Sequence, residues 1–201
     1  MAETATRFAA PAAAPVRAGR PAEAGFTLAE MLVVVALIAI GAGVTIPVTM
    51  EMVKRARNDS AVIVAQTFID AARDRAVAER RNVELEFTAP NWLRMYRIEV
   101  PSGTKTLLSE MQLEAAQEFM KFPMVTDTPD AFGASSAVSF TGTMPVMFTS
   151  DGSLIDSQGD VVNGTVFFGV PDRPESARAV SVFGITGMIR TWKWRGAQWF
   201  E

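Results

Sequence analysis

From Met31 to Met50 the chain carries no charged residue, and a lone acid, Glu30, stands at the mouth of this run. At a rise of 1.5 Å per residue such a stretch covers roughly 30 Å, the thickness of a bilayer's hydrocarbon core. The run therefore predicts a membrane-spanning helix. An unpartnered carboxylate is costly beside lipid, so an acid kept there has a function. In the first turn of a helix its negative charge is also favoured by the helix dipole. The residues leading into it are Gly25-Phe26-Thr27-Leu28-Ala29. Near the far end, Pro47 predicts a kink, and Gly41 and Gly43 permit close helix packing.

Composition removes several classes of function. The 201 residues suffice for one modest domain beside a membrane helix, and 49% apolar content supplies both a span and a core. With no cysteine there is no disulfide framework and no thiol nucleophile. With no histidine there is no Ser-His-Asp chemistry, and the commonest neutral metal ligand is missing. No carboxylate pair stands out as a catalytic dyad. The net charge is -3; residues 1–25 contribute +1 through Arg7, Arg17 and Arg20 against Glu3 and Glu23, leaving -4 for the rest. An acidic head has no global attraction for nucleic acid.

Residues 1–25 are rich in Ala and Pro, without apolar periodicity or a signal-type apolar core, and read as a leader outside the fold. Residues 26–50 read as the transmembrane helix. Residues 51–81 continue it as an amphipathic helix, with Ala61, Val64, Ala65, Phe68, Ile69, Ala72 and Ala76 on one stripe. From residue 82 the period falls to two and predicts a β-rich head over 82–201. Strands are expected over Val83–Phe87, Trp92–Val100, Val146–Phe148, Val166–Val170, Ala179–Phe183 and Met188–Trp194, with a hairpin turn at Asp151-Gly152. Residues 104–122 fit either strand or a short helix, and strand is favoured; 123–144 reads as a long loop. The expected fold class is α+β: a long N-terminal helix packed on a mostly antiparallel sheet that needs the helix stripe to cover one face. Charge does not orient the span, because Arg17 and Arg20 on one side face Lys54, Arg55 and Arg57 on the other.

The segment Gly25-Phe26-Thr27-Leu28-Ala29-Glu30 with its apolar run resembles the processing site of type IV prepilins and type II secretion pseudopilins. The resemblance implies cleavage after Gly25 by a prepilin peptidase, N-methylation of Phe26, and subunit docking through Glu30. It further implies an inner-membrane, single-pass protein with its head in the periplasm. Within residues 145–191, Phe148-Thr149-Ser150-Asp151-Gly152, the Gly164–Val170 stretch, and Arg178–Val182 running into Thr186-Gly187-Met188-Ile189-Arg190 resemble the H-type minor pseudopilins and the FimT- and FimU-type minor pilins. That implies an assembly protein with no catalytic site and no cofactor. Its partners would be other major and minor pseudopilins, with secreted cargo or the outer-membrane channel at the filament tip. The sequence leaves open whether the filament is a secretion pseudopilus or a type IV pilus.

Two C-terminal features are candidate sites. Asp151, Ser153, Asp156 and Asp160 lack the spacing of a calcium loop and read as a solvated turn, so no metal is assigned. Arg190, Lys193 and Arg195 interleave with Trp192 and Trp194, and Trp199 and Phe200 follow. These residues are candidates for an interface or, on the FimT-type reading, for DNA contact through phosphates and stacked bases. The aromatics fit a core equally well. Strand alternation puts Arg190 with the tryptophans on one face and Lys193 with Arg195 on the other, a thin patch on an acidic domain that disfavours DNA.

Overall fold

The computed structural model describes residues 25–113 and 116–201, except the side chains of Val44 and Pro47. The leader expectation for residues 1–24 and any detail of Pro47's ring lie outside the described residues. The elements in chain order are α1 (Leu28–Glu79), β1 (Val83–Thr88), β2 (Trp92–Ile98), β3 (Lys105–Gln112), β4 (Glu118–Phe119), β5 (Val138–Phe140), β6 (Val146–Phe148), β7 (Leu154–Ile155), β8 (Gly164–Gly169), β9 (Arg178–Phe183), β10 (Met188–Trp194) and β11 (Trp199–Phe200). A 3-10 turn covers Pro174–Ser176. The chain divides into two compact units, one ending at Thr45 and the other spanning Ile46–Glu201. The boundary falls within α1, two residues before Pro47, and the helix assignment is continuous through that proline.

In the first unit α1 is apolar all round. An 18-residue window reaches a mean hydropathy of 2.6 with none of it buried, so the helix is long and apolar enough to cross a membrane. In the second unit the same helix becomes one-sided. Ala61, Val62, Ala65, Phe68, Ile69, Ala72 and Ala76 are buried. Val64, expected on that stripe, is 36% exposed, whereas Val62, not expected there, is buried at 1%. The helix ends in a Schellman-type cap. Arg81 N–H bonds back to Ala76 O at 3.2 Å, and Arg80 adopts φ 50°.

The head holds two antiparallel sheets, where one was expected. The first has the order β3-β2-β1-β6-β7, and the second β11-β10-β9-β8-β4 with β5 also paired to β8. Val83, Leu85, Leu93, Met95, Val146 and Phe148 of the first sheet, and Val166, Phe168, Val180 and Val182 of the second, share one core with α1. β8 is buried on both faces. Its other face, with β9–β11, is covered by Phe122 and the loop expected over 123–144 that follows it; Phe122 and Val125 are buried in a second core, and Ala134 packs against it. That loop also contains the short strand β5.

Within residues 104–122 the described residues hold two strands, β3 and β4, and no helix, in line with the favoured reading. The second strand ends at Ile98 rather than Val100, because Glu99 turns to bond Gly103 and Thr104. The strand expected at Val166 begins two residues earlier, where Gly164 lets the Phe140 ring lie against its backbone: a Cβ there would come within 2.0 Å of the ring.

Candidate functional site

Thr27 decides where α1 begins. Its backbone carbonyl accepts Met31 N–H at 3.1 Å, and its hydroxyl oxygen accepts Glu30 N–H at 3.2 Å. A threonine N-cap with a glutamate three residues later is the capping-box pattern, and it satisfies a helix N–H that would otherwise lack a partner. Glu30 is the acid in the first turn of α1. Gly25 and Phe26 precede the helix in non-helical backbone, and Phe26 is 75% exposed. The peptide bond between them therefore lies two residues outside the first helical position. Sequence reasoning singled out Gly25, Phe26 and Glu30 but missed Thr27, although Thr-x-x-Glu before an apolar run was a legible signal. A Cβ at Gly41 or at Gly43 meets nothing within 4 Å, so no contact among the described residues requires either glycine.

The C-terminal candidates are not gathered on one surface. Trp192 is 6% exposed and packs in the second core with Trp194 and Trp199, so the core reading of these rings is the one observed. The physical reason is the covering loop. Its Asp130 carboxylate accepts Trp192 Nε1–H at 3.1 Å, Arg190 Nη1–H at 3.1 Å and the Ser181 hydroxyl. Thr126 O accepts Trp199 Nε1–H at 3.0 Å. Lys193 points to the opposite face, as alternation required, and its Nζ lies 3.5 Å from Asp59 of α1. Asp59 also accepts Arg178 Nη2–H at 2.9 Å. Arg195 is exposed, with its guanidinium 4.7 Å from the centre of the Phe200 ring. Arg190 and Lys193 are thus matched by Asp130 and Asp59, and the five residues do not present a basic, aromatic groove to a phosphate backbone.

The turns singled out in the C-terminal half have a structural use that the sequence did not show. Arg73 of α1 donates from Nε to Gly152 O at 3.2 Å and from Nη2 to Thr186 O at 3.1 Å. One guanidinium so ties the β6–β7 turn of the first sheet to the β9–β10 turn of the second. Gly187 has φ 62°, and a Cβ there would come within 2.3 Å of both Arg73 Nε and Gly152 O. In the first of these turns the Asp151 carboxylate is solvated. Hydrogen bonds from the Thr149 hydroxyl, the Ser153 hydroxyl and Ser153 N–H hold its pKa down at about 2. Asp156 is held low by the backbone N–H of Thr143, helped by those of Gln158 and Asp160. These aspartates organise turns.

Residues 20–46 match the family described as the prokaryotic N-terminal methylation motif. The matched stretch contains the capped helix start and most of the apolar run, so the chain carries that motif at the head of a helix fit to cross a membrane. Among solved structures the chain is similar to the type IV minor pilin FimU of Pseudomonas aeruginosa PAO1, at 15% identity and a TM-score of 0.45, over 69% of this chain and 90% of that one. It is also similar to the minor pseudopilin EpsH from the type 2 secretion system of Vibrio cholerae, at 12% identity and a TM-score of 0.43, over 66% of this chain and 96% of that one. Comparison with curated protein sequences gives no significant match.

Proposed function

We propose that this chain is a minor pseudopilin of a type II secretion system, acting by assembly and without a catalytic site. Prepilin peptidase cuts between Gly25 and Phe26 and the new amine of Phe26 is methylated. Residues 26–50 cross the inner membrane, residues 51–81 continue the helical spine, and the head from 82 to 201 stands in the periplasm. The observation that carries this reading is the methylation motif over residues 20–46, which falls on a helix starting at Leu28 with Glu30 in its first turn.

The physical logic is a charge pair. Cleavage leaves an ammonium on Phe26, and Glu30 of one subunit meets the ammonium of a neighbour in the filament core. In a low-dielectric setting such a pair attracts far more strongly than in water. Docking places the chain among major and minor pseudopilins, near the tip, where the head meets secreted cargo or the outer-membrane channel.

The test is Glu30→Ala in the full chain, with a C-terminal affinity tag, in a host that supplies the peptidase and the other subunits. The variant is expected to be cleaved normally and to lose co-purification with the secretion pseudopilins. Normal incorporation of Glu30→Ala would refute the docking role. Recovery of type IV pilus subunits by the unaltered chain would assign it to that filament instead.

A further inference from the structure

The two sheets end differently along their borders. β7, β4 and β11 are two residues each, whereas β3 is eight residues long; it pairs with β2 on one side, and its outer edge pairs with no strand among the described residues. A long unpaired edge presents free N–H and C=O groups, and proteins guard such edges with inward-pointing charges. Here the charges of β3 are held on the face away from the helix. Lys105 Nζ lies 2.5 Å from Glu84, and Glu110 accepts Arg94 Nε–H at 3.2 Å. A bulge at Leu108 divides the edge, since Met95 pairs with Ser109 while Tyr96 pairs with Leu107. The run beyond the bulge is Ser109–Gln112.

That run borders a groove of about 300 Å³ on the helix side, open between α1 and the edge. Val64, Phe68 and Ala71 form its helical wall, Met95 its floor, and Ser109 and Met111 its rim. Val64 turns its exposed surface there, which accounts for its departure from the buried stripe. Arg75 lines the C-terminal end of the helical wall, and its side chain makes no hydrogen bond or ion pair among the described residues.

We propose that this edge and groove receive an extended segment of a neighbouring filament subunit. The segment adds as a strand beside Ser109–Gln112, with apolar side chains at alternate positions in the groove and a carboxylate against Arg75. Strand addition draws its affinity from main-chain hydrogen bonds and its specificity from pockets spaced at every second residue. Ser109 and Met111 provide that spacing. An unpaired cation beside an apolar floor selects an acidic side chain over a basic one. The proposal rests on the reading of the chain as a filament subunit.

The absence of cysteine allows a single nitroxide to be placed at Ser109→Cys, with Ser157→Cys on the β7 side as the control. The full chain is measured alone and in the complex formed with the host's other filament subunits. In the complex, the label at 109 is expected to become immobile and shielded from a water-soluble relaxant, while the label at 157 is not. The amides of 109–112 are expected to exchange more slowly with solvent. Arg75→Glu should weaken the complex about tenfold, because it sets a carboxylate against a carboxylate. A label at 109 that stays mobile within an assembled complex overturns this proposal alone. Dipolar coupling between labels on two copies of this chain would also overturn it, by making the occupant a second copy. Failure of the unaltered chain to assemble overturns the filament reading and the proposal together.

Discussion

Thr27 shows how much one hydroxyl can govern. A threonine N-cap is worth about 1 kcal/mol, enough to fix which residue opens a helix. With the cap in place, Gly25 and Phe26 stay in non-helical backbone, and a peptidase needs its substrate extended. Thr27→Val keeps the side-chain shape and loses the acceptor of Glu30 N–H, so the helix start is no longer fixed at Leu28. Cleavage of Thr27→Val is expected to slow about fivefold, the factor corresponding to ~1 kcal/mol, while Thr27→Ser is cut at the normal rate. A time course of intact mass in a host with the peptidase reads both, and equal rates for all three chains would contradict the capping role. This cap was legible in the sequence as Thr-x-x-Glu. The burial of Trp192 was not, because a basic and aromatic strand looks the same whether a loop covers it or not. Asp130, sixty residues from Arg190, supplies that cover, and no local pattern announces the pairing.

The longer elements were legible because their periods are strong. The apolar run and the stripe from Ala61 to Ala76 define α1, and alternation located β1, β2, β6, β9 and β10 to within about two residues. The short strands β4, β7 and β11 have two residues each, too few to show a period. The Asp151-Gly152 turn was visible as a hairpin signal, and its chemistry gives a pH test. The turn binds the ionised carboxylate of Asp151 and lowers its pKa to about 2. Its stabilisation is therefore complete above the ordinary carboxylate range and is lost as pH falls through about 2. Thr149→Val removes the largest contribution, so the titration midpoint of Asp151 should move up toward the ordinary aspartate value, as read by carboxyl-carbon NMR of the full chain in micelles. A midpoint already at the ordinary value in the unaltered chain would contradict the hydrogen-bonded turn.

At the scale of the molecule, the α+β class was legible and the division of the head into two sheets was not. Which strands share a sheet depends on contacts across the chain, such as Val83 with Phe148 and Gly164 with Val182. A single α1 serves both sheets, and its polar residues are the joints. Arg73 spans the two turns, and Asp59 holds Arg178 of β9 across 119 residues. Hydrogen bonds from a charged donor contribute ~1.5–3 kcal/mol each, less where water competes, so Arg73→Ala is expected to destabilise the head by roughly 2 kcal/mol. Denaturation of the full chain in detergent reads this, and an unchanged midpoint would show that the two turns hold without their common donor. Glu30 gives the assembly reading its chemical handle, since the ammonium it would meet exists only if the chain is cut at Gly25. The decisive measurement is the intact mass and N-terminal peptide mass of the chain extracted from membranes of a host with the matching peptidase. The account predicts a chain that starts at Phe26 and carries one added methyl group. A chain that still starts at Met1, or is cut elsewhere, would contradict it and leave a membrane-anchored β-rich head with no filament role.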